Sequence, residues 1–178
     1  YYFYRNVKRV DTGAGAAYAY GSGNILRVKA TDRLSEYDTA YYWPLRNAAG
    51  AWTNAIGPQN FRFTPWPSNL RFTLITYRSL VGTNQYCGTG CVGVTTFCLN
   101  NQGEFNCSTN AFEKTAFSSF IYIRVGTVDS WSAADKTAQL AHESGHALGL
   151  GHHGNSGLMA DQTGFRGGSY VPTSTEIG

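Results

Sequence analysis

All four histidines of this 178-residue chain stand within one short segment, which from His142 reads HESGHALGLGHH. Inside it, His142, Glu143, His146, Gly149 and His152 form the pattern HExxHxxGxxH. Residues four apart on a helix lie on one face, separated by about 6 Å along the axis, so the imidazoles of His142 and His146 can converge on a single ion. Glu143 then points roughly 100° away around the helix, beside the ion rather than on it, where its carboxylate can take a proton from a metal-activated water and pass it on. At Gly149 the chain must leave the helix sharply, in a conformation that costs little only for glycine, and that turn would bring back His152 as a third ligand. Three protein ligands leave a fourth tetrahedral position open, the arrangement of a catalytic rather than a structural zinc. With three histidines and a water filling that tetrahedron, His153 reads as a supporting or exposed neighbour and not as a ligand.

Such a site needs a folded scaffold, and the composition supplies one. Hydrophobic residues make up 42% and charged residues only 14%, which excludes a disordered chain. The length suits one domain, residues 1–178, with a substantial core. Twelve Tyr and 21 Gly favour strands and turns over a helical bundle. The net charge is +3 with the Arg residues scattered singly, so no basic stripe argues for nucleic acid. No run of 18 apolar residues is present, and no membrane span is expected. The chain opens at Tyr1 without Met and without a signal sequence, which fits either a processed mature protein or a trimmed piece of a longer chain.

Four cysteines, Cys87, Cys91, Cys98 and Cys107, cluster far from the histidines. A four-thiolate zinc site is the rival reading, but the cluster lacks the tight CxxC knuckle, and two disulfides are preferred. Of the three pairings, Cys87 with Cys91 and Cys98 with Cys107 is favoured. Disulfides imply an oxidising compartment, hence a secreted protein.

Along the chain, residues 1–23 read as an extended N-terminal arm. Ile25 to Ala30 alternates as a first strand should. Asp38 to Ala55 places Ala40, Trp43, Ala48, Ala51, Trp52 and Ala55 at helical spacings, with the start set near Pro44 because a first-turn proline is tolerated. Phe61 to Pro65 and Leu70 to Arg78 read as two strands joined by a turn, and Val92 to Leu99 and Phe120 to Val125 as two more. Ala133 to Leu148 is helical, with Ser132 or Asp135 as N-cap and Gly149 as the stop. Thr173 and Glu176 stand at capping-box spacing, either a helix start or an accident of sequence.

The zinc pattern followed by Ser156, Gly157, Leu158 and Met159 resembles the metzincin clan of metallopeptidases, and HESGHALGLGH with Leu-Met downstream is most similar to its matrixin branch. The resemblance implies that Met159, the only methionine, forms the hydrophobic floor beneath the zinc. It also implies an α+β fold: a twisted mixed five-stranded sheet with a backing helix, and an active-site helix crossing below a cleft at the sheet edge. It covers roughly Ile25 to Met159, with only the last third specific.

Several family features are missing. After Met159 the sequence ADQTGF lacks the Pro and Tyr that line the matrixin specificity pocket, and Asp161 stands where astacins and serralysins carry Tyr. The structural-zinc ligands and calcium loops of matrixins have no counterparts, so one catalytic Zn2+ carries over and calcium stays open. The expectation is therefore a secreted, monomeric zinc endopeptidase acting on proteins or peptides, with Glu143 as general base and His142, His146 and His152 on the metal. A catalytically inactive zinc-bearing binding or adhesion module is the alternative, suggested by the many tyrosines and the cysteine-clamped insert.

Overall fold

The computed structural model describes residues 26–30, 39–57, 61–63, 74–80, 85–98, 107–109, 118–152, 157–160 and 169–177. The N-terminal arm expected over residues 1–23, His153, and the stretch from Asp161 to Gly168 lie outside them.

Ten elements follow one another: β1 (Leu26–Ala30), α1 (Thr39–Ile56), β2 (Phe61–Phe63), β3 (Leu74–Ser79), β4 (Gly93–Cys98), β5 (Cys107–Ser108), β6 (Ser118–Ile123), α2 (Val125–Val128), α3 (Ala133–Ala147) and α4 (Ser174–Ile177). The α+β class and the mixed sheet hold. The strand count does not: the sheet has six strands in the order β2-β1-β3-β6-β4-β5, of which four, each five or six residues long, make its body. The flanking β2 and β5 are three and two residues long.

The second correction concerns pairing. The two segments read as strands joined by a turn do not pair with each other, because β1 lies between β2 and β3 and runs parallel to both. A short turn signal reports that the chain changes direction and says nothing about which strand fills the neighbouring place. β6 continues the parallel set beside β3, and β4 reverses it.

Side chains of the sheet body alternate between two cores, as the two-residue period of a strand requires. Ile75 and Tyr77 of β3, Phe97 of β4, and Ile121 and Ile123 of β6 face the helices α1 and α3. Phe120 and Tyr122 face the other way, where they pack with Leu80, Cys87 and Cys98. Each fully buried isoleucine contributes about 1.5–3 kcal/mol through its apolar area.

Helix α1 begins earlier than expected and turns a different face inward. Tyr41, Leu45, Ala48, Ala49 and Trp52 are buried, while Trp43 is 62% exposed and sits edge-on to Tyr42. Pro44 falls in the second turn rather than the first. The consecutive aromatics Tyr41, Tyr42 and Trp43 allow more than one phase, and the one adopted puts Tyr41 on the buried face with Leu45, Ala48 and Trp52. Trp52 locks α1 to α3 by donating its indole N–H to Ala141 O at 2.8 Å.

The strand predicted over Phe120 to Val125 ends at Ile123, because Arg124 turns out of the sheet and Val125 opens the short helix α2. The Arg124 side chain donates to Cys91 O and to Gly88 O, each at 2.8 Å, and pins the loop before β4. That loop carries the Cys87–Cys91 disulfide, and a second disulfide joins Cys98 to Cys107 across β4 and β5. The favoured pairing is the observed one, and the two bonds point to an oxidising compartment. Among the described residues no helix is long and apolar enough to cross a membrane.

Candidate metal centre

Helix α3 carries most of the centre, and its start and end are both chemically specified. Ser132 is the N-cap, its hydroxyl accepting the Asp135 N–H at 3.1 Å, so Asp135 is the third helical residue rather than the cap itself. At the other end Gly149 takes φ 101°. Its N–H bonds His146 O at 2.8 Å and the Leu150 N–H bonds Gly145 O at 2.9 Å. These are the two reversed bonds of a Schellman ending.

That turn does more than stop the helix. It brings Leu150 O to 2.8 Å from His146 Nδ1, and it sends the chain back so that His152 faces His142 and His146. His142 Nδ1 in turn meets Leu158 O at 2.6 Å. A carbonyl only accepts, so Nδ1 of both rings carries the proton, and each neutral ring then directs the bare lone pair of Nε2 inward.

The three Nε2 atoms form a triangle with all sides 3.1 Å. Without a cation at least two lone pairs would face each other at that distance, which is repulsive. Two nitrogens held about 2.05 Å from one zinc at a tetrahedral angle stand about 3.3 Å apart, close to the observed sides. The three-histidine group can therefore hold a metal ion, and Glu143 is not part of it. His142 is buried, His146 is half-buried and His152 is exposed, so the group opens to solvent on one side.

Glu143 is only 3% exposed and lies between α3 and β4. Its Oε2 accepts from Thr95 Oγ1 at 2.8 Å, and its Oε1 accepts from Gln139 Nε2 at 2.9 Å. Beside it, Ser144 bonds Leu140 O and meets the hydroxyl of Tyr77 from β3. Burial holds the Tyr77 phenol well above its ordinary value, the Glu143 charge adds to that rise, and the Ser144 hydrogen bond offsets part of it.

No protein-family model matches this chain, and no curated protein matches it either. The site is thus described by its own geometry.

Met159 is fully buried, under the last turns of α3. Its sulfur rests where a side chain on Gly145 would stand, and Trp52 fills the remaining space, so Gly145 admits the close approach of helix and methionine. Sequence reasoning had no role for Gly145, nor for Thr95, Gln139 and Gly93 around Glu143. Gln139 had a legible signal, since it precedes Glu143 by one helical turn. Thr95 and Gly93 had none, because only the packing of β4 on α3 brings them there. In the sequence Glu176 stands at capping-box spacing from Thr173. The structure gives it both roles of a tie: Oε2 accepts the Thr173 N–H and Oε1 the Met159 N–H, each at 2.6 Å.

Proposed function

We propose that this chain is a secreted, zinc-dependent endopeptidase of the metzincin type. The observation that carries the reading is the triangle of three inward-facing histidine nitrogens, with a glutamate outside the ligand set at the next position along the same helix. Zinc suits an all-imidazole set with an open position, and when bound it supplies a Lewis acid that acidifies water to near neutrality.

The side chains then divide the work. His142, His146 and His152 hold the ion, with Leu158 O and Leu150 O fixing two of the rings. Glu143 accepts a proton from the attacking water as its oxygen bonds to the scissile carbon, and delivers that proton to the amine nitrogen as the C–N bond breaks. Strand β4 offers a place for an extended peptide. Arg124 N–H bonds Val92 O at 2.8 Å, so by the alternation of an antiparallel ladder Gly93 and Thr95 turn their backbone groups away from β6. Among the described residues β5 occupies that side only at Phe97 and Cys98, which leaves Gly93–Thr96 for pairing with a substrate strand.

The test incubates the protein with a mixed peptide library, with and without a zinc chelator, and maps the cuts by mass spectrometry. Cleavage that the chelator abolishes is expected. Glu143→Ala should keep one zinc per chain and lose turnover by about 10²–10⁴-fold or more. Unchanged digestion of casein by that variant would sink the reading. Stoichiometric metal with no cut under any condition would favour a binding module instead.

A further inference from the structure

We propose that Thr95 and Gln139 are positioning residues that fix the carboxylate of Glu143 for proton transfer, a role that rests on the peptidase reading above. Three observations converge on it. The first is the pair of hydrogen bonds: each carboxylate oxygen has its own donor, Gln139 from one turn back on α3 and Thr95 from a separate element 48 residues away in the chain. The second is space. A β-carbon on Gly93 would stand 2.5 Å from Glu143 Oε1 and 2.7 Å from Gln139 Nε2, so the bare glycine is what lets β4 close over both groups. The third is burial, since Gln139 is 2% exposed and Thr95 7%, which leaves little water to substitute for either donor.

A glutamate side chain has three rotatable bonds, and a carboxylate free to swing spends much of its time misaligned. Displacing a reacting group by about 1 Å can cost about 10²-fold in rate. With one donor on each oxygen the plane of the carboxylate is set. Thr95 adds a second consequence. It holds the base with its side chain while its backbone faces away from β6, on the side of β4 where β5, among the described residues, reaches only Phe97 and Cys98, so one residue sets both the base and the strand along which a peptide would lie.

The test measures kcat and KM separately for a peptide carrying a cut site recovered from the library digest. Thr95→Val and Gln139→Met keep the shape and remove the donor. Each is expected to lower kcat roughly 10–100-fold, with KM within about twofold and one zinc per chain, while the buried carboxylate left with one donor fewer lowers the melting temperature by roughly 2–10 °C. Thr95→Ser restores the hydroxyl and should recover most of kcat. A purely structural role would lower stability or metal content while leaving kcat per folded, metal-loaded chain unchanged, with nothing for Thr95→Ser to rescue. If Thr95→Val fails to fold, Gln139→Met decides the matter alone. Wild-type kcat in both donor-deleted variants, alongside a dead Glu143→Ala, overturns the positioning role and leaves the peptidase reading intact. No cleavage by the wild type overturns both together.

Discussion

The carboxylate of Glu176 accepts the backbone N–H of Met159 at 2.6 Å, across 17 residues of chain. That N–H belongs to the same peptide unit as Leu158 O, which holds His142 Nδ1 at 2.6 Å. One peptide group is therefore gripped from both sides, by a carboxylate on its donor end and by a metal-site imidazole on its acceptor end.

Replacing Glu176 with Ala strips the acceptor from the N–H groups of Met159 and Thr173. Leaving such groups unmet costs about 1–3 kcal/mol each. We expect a loss of roughly 2–4 kcal/mol, a melting temperature lower by roughly 5–10 °C, and metal affinity about tenfold weaker. Thermal melts and competition with a chelator measure the two effects. Metal affinity equal to wild type would separate Glu176 from the centre and leave it a stability residue only.

Gly149 sits at φ 101°, where a β-carbon costs about 1–2 kcal/mol. Gly149→Ala should lower stability by that amount. It should also shift Leu150 O from under His146, so that metal binding weakens about tenfold or more. Chelator competition gives the affinity and denaturant unfolding the stability. A variant that loses stability but binds metal as tightly as before would show that the turn does not hold the ring.

Tyr77 gives the fold an alkaline limit. Its phenol is held above the ordinary value near 10.0, chiefly by burial, so above that pH the folded chain keeps a proton that the unfolded chain releases. Stability thus falls as pH rises past about 10, by up to about 1.4 kcal/mol per pH unit, and is untouched by this group at lower pH. Tyr77→Phe should flatten the decline. Urea midpoints at pH 8 and pH 11 for both proteins would reveal it, and identical slopes would refute it.

The Cys98–Cys107 bond closes a loop of nine residues' separation at the end of β4, on the face of the sheet opposite α3. Replacing both cysteines with Ser should cost about 2–3 kcal/mol through loop entropy while leaving metal stoichiometry at one per chain. Calorimetry and metal analysis of the double variant check both halves of that expectation. Loss of metal would mean that the loop supports the centre directly.

The histidine-bearing helix was legible in the sequence because its logic is local. The positions of His142, His146 and Glu143 follow from the pitch of a helix, and Gly149 from the backbone conformation its turn requires. The strand character of β4 and β6 is also a short-range matter and was readable, while the cap was narrowed to Ser132 or Asp135 and the pairing of neighbouring cysteines was favoured among three, and the structure decides both. What lay beyond reach depends on contacts between residues distant in the chain. Which face of α1 turns inward was decided by packing against α3, where Trp52 finds Ala141 O, and not by the spacing of alanines. That β1 lies between β2 and β3 follows from the order of strands in the sheet, on which a turn signal is silent. Thr95, one of the donors to Glu143, comes from β4, and Glu176, which accepts the Met159 N–H, from α4, and no pattern within the histidine segment points to either. The sequence by itself determined that three histidines converge with a glutamate beside them, because a helix and a glycine turn suffice to arrange them. Only the tertiary structure decided what holds those groups still, because a buried carboxylate and a ring nitrogen take their hydrogen bonds from whatever the fold packs beside them.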